Sequence, residues 1–205
     1  MRAALFLPLL LMSSVAVAQP APQAAPQNTP KPAPKPPAPK PQAQPKPVSQ
    51  ADLLAQLKAA DSPEAARPIE QKLTAMFRPS GSPSVDLLMT RAETAAAAGD
   101  KNTARKLVDA ITSIAPKYAE GWHVRAAMES AADNDAAAMV SLQKTVHLNP
   151  YHFTAMVELG DMLQDYGDEA AALKLFRQAL ALNPQMEGAQ RRVRELARSV
   201  EGQDI

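Results

Sequence analysis

Residues 153 to 184 read FTAMVELGDMLQDYGDEAAALKLFRQALALNP, two apolar runs separated by a polar turn and closed by Leu-Asn-Pro. Both runs are rich in Ala, Leu, Met and Glu, which favour helix over strand. The same closing tripeptide stands earlier in the chain, at positions 148 to 150, and Pro116, Pro150 and Pro184 are evenly spaced. Because a fixed period of about 20 to 50 residues is typical of repeat architectures, the stretch predicts stacked helix-turn-helix pairs.

Small residues follow the same spacing along all three predicted helix pairs. They recur with the period of the prolines in two phases, at Ala92, Ala126 and Gly160 and at Ala104, Ala138 and Ala172. Ala and Gly at these positions let paired helices approach closely, and a proline ends a helix because it cannot continue the hydrogen-bond ladder. Polar turns separate the two helices of each pair at residues 99–102, 133–136 and 167–170.

This pattern resembles the tetratricopeptide repeat (TPR) family, whose period of about 34 residues is also that of the prolines. The resemblance implies an all-α fold, a right-handed α-solenoid of stacked helix-turn-helix pairs within residues 83–184, with repeats at about residues 85–116, 119–150 and 153–184. At the family's core positions the third repeat carries Met156, Leu159, Gly160, Leu163, Ala172, Phe176, Ala179 and Pro184. Trp122 takes the first large core position of the second repeat, so the resemblance implies that it packs in the core.

The start of the chain, residues 1–18, has the layout of a secretory signal peptide. Arg2 precedes a short apolar run, and the small-residue pattern Ala16-Val17-Ala18 follows. We therefore expect cleavage after Ala18 and export, to the periplasm in a bacterium. The competing interpretation is an uncleaved anchor, the one case in which a membrane is expected as a partner, although a span needs about 20 apolar residues.

Residues 19–48 are expected to form a disordered linker rich in Pro, Ala and Lys. Twelve of the 20 prolines lie there, together with four lysines and no acidic residue. Such a stretch offers no apolar surface for a core and favours polyproline II conformation. Its composition resembles that of the Pro/Lys spacer in TonB-like envelope proteins.

Two helical segments are expected to flank the repeats. Residues 49–82 predict N-terminal helices that pack on the repeats without following their register. The first opens at the capping box of Ser49 and Asp52. The second begins near Asp61, or at Pro68 if that residue is a first-turn proline. Residues 185–205 predict a C-terminal capping helix and a tail.

The sequence contains no constellation typical of catalysis. It has no cysteine, no G-x-S-x-G, no Walker loop and no dinucleotide-binding glycine pattern. His123, His147 and His152 lack an H-x-x-x-H spacing, so no metal site is expected, and His147 and His152 are interpreted as solvated loop residues. After residue 48 the chain carries 17 basic and 21 acidic residues, which does not favour a nucleic-acid partner. We therefore expect no enzyme activity and no cofactor.

The resemblance also implies a concave groove, lined mainly by the first helix of each repeat, in which relatives hold segments of partner proteins. The groove positions of this chain are Asp86, Met89, Glu93 and Ala96, then Glu120, His123, Ala127 and Ser130, then Thr154, Val157, Asp161 and Gln164. Relatives that clamp a terminal carboxylate place Lys, Asn and Arg at such positions, and this chain does not. Its four groove carboxylates predict a basic or apolar partner segment, and the Lys/Pro linker is one internal candidate.

Two functions fit these observations. The first is an exported adaptor or scaffold that binds a protein or peptide partner in the groove. The alternative is a structural envelope spacer, whose TonB-like Pro/Lys arm contacts or crosses the cell wall while the helical domain assembles.

Overall fold

The computed structural model describes residues 48–202, which belong to one compact unit. The expected signal peptide, almost all of the expected linker and residues 203–205 lie outside the described residues. Every regular element between residues 48 and 202 is an α-helix. The helices are α1 (Gln50–Lys58), α2 (Pro63–Phe77), α3 (Pro83–Ala97), α4 (Lys101–Ile114), α5 (Ala119–Ser130), α6 (Asp135–Leu148), α7 (Phe153–Asp165), α8 (Glu169–Leu182) and α9 (Glu187–Glu201).

Local sequence signals account for most helix ends. Ser49 and Asp52 form the predicted capping box of α1. The second helix begins near Asp61, as the first of the two alternatives has it, because Ser62 caps it and Pro63 is its first residue. The alternative start at Pro68 is wrong, since Pro68 lies inside α2.

The turns within the helix pairs need a left-handed residue. Gly99 and Gly167 supply it with φ of 79° and 85°. In the middle pair Asp133 adopts a φ of 56°, which Asp tolerates better than most residues. The residues that follow the glycines, Asp100 and Asp168, then cap α4 and α8 by accepting a backbone N–H. These turns fold α4, α6 and α8 back onto α3, α5 and α7.

Close packing inside the third helix pair follows the predicted small-residue pattern. A Cβ atom on Gly160 would lie 2.9 Å from Cε1 of Phe176, so the phenyl ring rests against the glycine backbone. Leu159, Gly160, Ala172, Phe176 and Ala179 are all buried, while Leu163 and Pro184 are half-buried. The last helix, α9, packs on α8 through Ala189, Leu196 and Ala197.

Trp122 does not lie in the core as the resemblance implied. Its side chain is half-buried, its Nε1–H donates to the carbonyl oxygen of Pro116 at 3.0 Å, and the Arg125 guanidinium lies 5.4 Å from the ring centroid. Met156 takes the corresponding position in α7 and is only 4 % exposed. The difference arises because Met156 shares a buried cluster with residues of α1 and α2, whereas Trp122 lies beside exposed residues of α6 such as Val140.

The helices α1 and α2 form what we call the N-terminal hairpin, which packs against α7 and α8. Its Leu53, Leu57, Ala66 and Leu73 share one buried cluster with residues of α7 and α8, namely Phe153, Met156 and Ala179. Polar contacts hold both ends of the hairpin. Gln185 Nε2 donates to the Ala60 carbonyl at 2.6 Å, and the Tyr118 hydroxyl donates to the Arg78 carbonyl. The hairpin therefore bridges the loop after α4 and the loop after α8.

Candidate functional site

A cavity of about 680 Å³ opens between α3, α4 and α5, and we call it the α3–α5 cavity. Five of the predicted groove positions line it, and they are Glu93, Ala96, Glu120, His123 and Ala127. Helix α4, the second helix of the first repeat, adds Lys101 and Arg105, which are not among the predicted groove positions.

Small side chains leave the cavity open. Ala96, Ala127 and Ala131 project only a methyl group from α3 and α5, and Ala104 does the same from α4. Val124 and Met128 of α5 add larger apolar surface. An apolar wall with a few charged groups at its margin is the usual form of a site that takes up an apolar side chain.

The remaining groove positions lie outside this cavity. Met89 is only 4 % exposed and packs in a core cluster with Val85, Ile111 and Tyr118, so it is not a groove residue. Val157 is half-buried and packs against the cluster of the N-terminal hairpin. Ser130 and Thr154 are not part of the cavity lining either.

Each of the four groove carboxylates already has a partner within the domain. Asp86 accepts the backbone N–H of Ser80 at 2.8 Å, and Glu93 accepts two hydrogen bonds from Arg78 at 2.7 and 2.9 Å. Asp161 lies 2.8 Å from Arg192 of α9, which also donates to Gln164 at 2.7 Å.

The fourth carboxylate, Glu120, belongs to a network with His123, His152 and Glu158 that borders the cavity. His152 is the N-cap of α7, where its Nδ1 accepts the backbone N–H of Ala155 at 3.2 Å. Its Nε2 lies 3.2 Å from Oε2 of Glu120. His123 joins α5 to α7, because its Nε2 lies 2.9 Å from Oε2 of Glu158 and its Nδ1 lies 3.7 Å from Oε1 of Glu120.

The network carries charge at neutral pH. Burial lowers the pKa of His123, but the hydrogen bonds and charges of Glu120 and Glu158 outweigh burial and raise it to about 9. Burial likewise raises the pKa of Glu120, and contact with His123 and His152 outweighs it and lowers that pKa to about 2. Glu120 is thus a carboxylate beside an imidazolium, which makes it a structural ion pair.

The same residues are also placed as a metal site would require. Glu120, His123 and His152 bring one ligand atom each within 4.8 Å of one another. However, Nδ1 of His152 accepts a backbone N–H, so its Nε2 carries the proton that points at Glu120. A metal at Nε2 would require that proton to leave and the other nitrogen to carry it, which breaks the cap of α7. The residues present fit a hydrogen-bonded network better than a metal centre.

Sequence reasoning missed this network. His152 is 2 % exposed and is not the solvated loop residue that the sequence predicts. His147 is exposed as predicted, but it lies in the last turn of α6 and not in a loop. Two signals were available. His152 directly precedes the apolar run of α7, which is the place of an N-cap. Glu158 lies one position beyond a full repeat period after His123, so the two lie on neighbouring first helices.

Comparisons with known proteins agree with this fold. No protein-family profile matches the chain. A TPR repeat-containing protein of Rhizobium etli is 28 % identical over 150 residues, which cover 73 % of this chain and 74 % of the relative. The chain is therefore similar in sequence to a tetratricopeptide repeat protein, and its stacked helix pairs have the arrangement of that fold.

Solved TPR structures share its architecture. The first TPR domain of Spaghetti (RPAP3), bound to the HSP90 peptide SRMEEVD, superposes with a TM-score of 0.51 at 17 % identity. That match covers 57 % of this chain and 93 % of the domain. The Yersinia enterocolitica type III secretion chaperone SycD, in complex with a peptide of the translocator YopD, gives 0.50 at 16 % identity. It covers 58 % of this chain and 94 % of the chaperone.

Within residues 48–202, none of the helices has the length and apolar character needed to cross a bilayer.

Proposed function

We propose that this protein is an exported scaffold that binds a segment of a protein partner in the α3–α5 cavity. The observation that carries the proposal is the cavity itself, about 680 Å³ of space with an apolar wall built from alanines, Val124 and Met128. A space of that size accepts one or two large side chains of a partner segment. The proposal assigns binding, and no chemical step, to the chain.

The structural neighbours support a binding role. Two TPR structures of similar architecture hold peptides, one from HSP90 and one from the translocator YopD. Export is proposed from the sequence alone, since Arg2, the apolar run and Ala16-Val17-Ala18 have the layout of a cleavable signal. Fractionation of cells that express the full chain tests export, and it should find a mature protein whose amino-terminal residue is Gln19.

A photo-activated cross-linker placed at Ala127 tests the binding site. Ala127 lines the cavity, whereas Ala136 is an exposed alanine of α6 outside it and serves as the matched control position. With the cross-linker in the full chain in living cells, we expect a discrete protein adduct from position 127 and none from position 136. Identical adducts from both positions, or no adduct from position 127, would reject the cavity as the binding site.

A further inference from the structure

The acidic and the basic side chains that line the α3–α5 cavity differ in how far they are paired within residues 48–202. Both carboxylates of the lining are already engaged, Glu93 by Arg78 and Glu120 by His123 and His152. Lys101 and Arg105 of α4 also line the cavity, and their side chains are exposed. Neither cation forms an ion pair with another residue of the described range 48–202. The charge that remains available to a bound segment is therefore positive.

The apolar part of the lining lies next to these cations. Ala104 and Arg105 are neighbours on α4, and Val124 and Met128 stand one helical turn apart on α5. A segment that places an apolar side chain against α5 thus brings its adjacent residue toward α4. A carboxylate at that position would gain a charge-assisted hydrogen bond, whereas an ammonium group would meet like charge.

We infer that the cavity selects a partner segment in which an acidic residue stands beside an apolar one, and that Lys101 and Arg105 determine this preference. The inference rests on the proposed function and reverses the preference for basic segments that the sequence indicated. It also removes the Lys/Pro linker as an internal occupant, because residues 19–48 contain four lysines and no carboxylate. Lys101 and Arg105 both lie on α4, the second helix of the first repeat, whereas the predicted groove positions lie on the first helices.

A random peptide library displayed on phage provides a probe that requires no knowledge of the partner. The library is selected on the immobilised full chain and, in parallel, on Ala127→Trp, in which the indole fills the cavity. We expect peptides that are enriched on the wild type and lost on Ala127→Trp to contain Asp or Glu next to Leu, Met or Phe. Cavity-dependent peptides enriched in Lys and Arg would overturn the inference and leave the proposed function standing. Selection of the same peptides by both proteins would overturn the proposed function itself, and the inference with it.

Charge reversal then tests the two cations directly with one labelled peptide from the selection. We expect the double variant Lys101→Glu/Arg105→Glu to raise its Kd at least about tenfold, which corresponds to one charge-assisted contact. Lys106→Glu is the matched control, because Lys106 is exposed on the same helix but does not line the cavity, and its Kd should change less than about twofold. Equal effects of the two charge changes would overturn the inference. Circular dichroism of each variant checks that the fold is intact.

Discussion

Phe77, the last residue of α2, stacks on His152, the N-cap of α7, with 5.3 Å between the ring centroids and 29° between the ring planes. The next residue, Arg78, pairs with Glu93 and lines the α3–α5 cavity. The end of the N-terminal hairpin therefore touches both the buried histidine network and the proposed binding site. Docking of the hairpin and the shape of the cavity depend on the same few residues.

The hairpin should be an integral part of the domain. Leu73 is fully buried in the cluster that joins α2 to α7 and α8, so Leu73→Ala should lower the free energy of unfolding by about 2 to 5 kcal/mol. Met76→Ala on the same helix is the control, because Met76 is 43 % exposed and its truncation should cost less than about 1 kcal/mol. Urea denaturation measures both values, and similar midpoints for the two variants would mean that the hairpin does not pack as described.

His152 should stabilise the domain in two separable ways. His152→Ala removes the cap of α7 and leaves Glu120 with one fewer partner in a buried position, at a cost of about 2 to 3 kcal/mol. His152→Asn restores a side chain that caps well but does not reach Glu120, and it should recover about 1 kcal/mol. The exposed His147→Ala should change stability by no more than about 0.5 kcal/mol. If Ala and Asn at position 152 gave equal stability in chemical denaturation, the capping role would be excluded.

The histidine network sets a pH window for stability. The folded pKa of His123 is about 9 and its ordinary value is 6.5, so the folded state holds a proton that the unfolded state has lost between those values. Stability should therefore fall as pH rises from 6.5 through 9, by an amount on the order of 3 kcal/mol. The folded pKa of Glu120 is about 2 against an ordinary 4.5, so stability should also fall as pH drops from 4.5 toward 2.

Thermal unfolding at intervals of pH measures both limbs of this window. His123→Gln cannot bind the extra proton, so its stability should change less between pH 6.5 and 9 than that of the wild type. Any change that remains comes from groups that both proteins share. A variant curve that falls as steeply as the wild type over that range would assign the alkaline loss to other groups.

The repeat region could be predicted because its signals are local. Pro116, Pro150 and Pro184 each follow a second helix, and the turns before α4 and α8 carry Gly followed by Asp in the sequence itself. Each of these features acts on the backbone within a few residues, whatever the rest of the chain does. Helix pairs and their period therefore follow from the sequence without knowledge of tertiary contacts.

The position of the N-terminal hairpin and the state of the groove charges could not be predicted in this way. Leu53 meets the cluster of Phe153, a hundred positions later, and nothing local specifies which apolar surface it will cover. Likewise, Asp161 on its helix gives no sign that Arg192 lies 2.8 Å away. Whether a carboxylate at a groove position can bind a partner depends on which residues surround it in the fold, and the sequence does not show these neighbours. Because each groove carboxylate has a partner within the domain, the positions of these carboxylates alone do not support the predicted basic partner segment.

Close contact between α7 and α8 gives the most direct test of the repeat register. Phe176 is completely buried, and its Cε1 and Cζ atoms would lie 2.9 and 3.0 Å from a Cβ on Gly160. Ala172, Ala189 and Leu196 belong to the same buried cluster, so the ring has little room to retreat. Gly160→Leu should therefore lower the free energy of unfolding by about 1 to 3 kcal/mol through overpacking.

Gly188→Leu supplies the matched control for that substitution. Gly188 also lies in a helix, and a Cβ there would meet no atom within 4 Å. Because leucine has a higher helix propensity than glycine, this variant should keep the stability of the wild type or raise it by up to about 0.8 kcal/mol. Opposite shifts of the two urea midpoints are expected. Equal midpoints would mean that residue 160 is not at a helix contact, and the repeat register would then have to be redrawn.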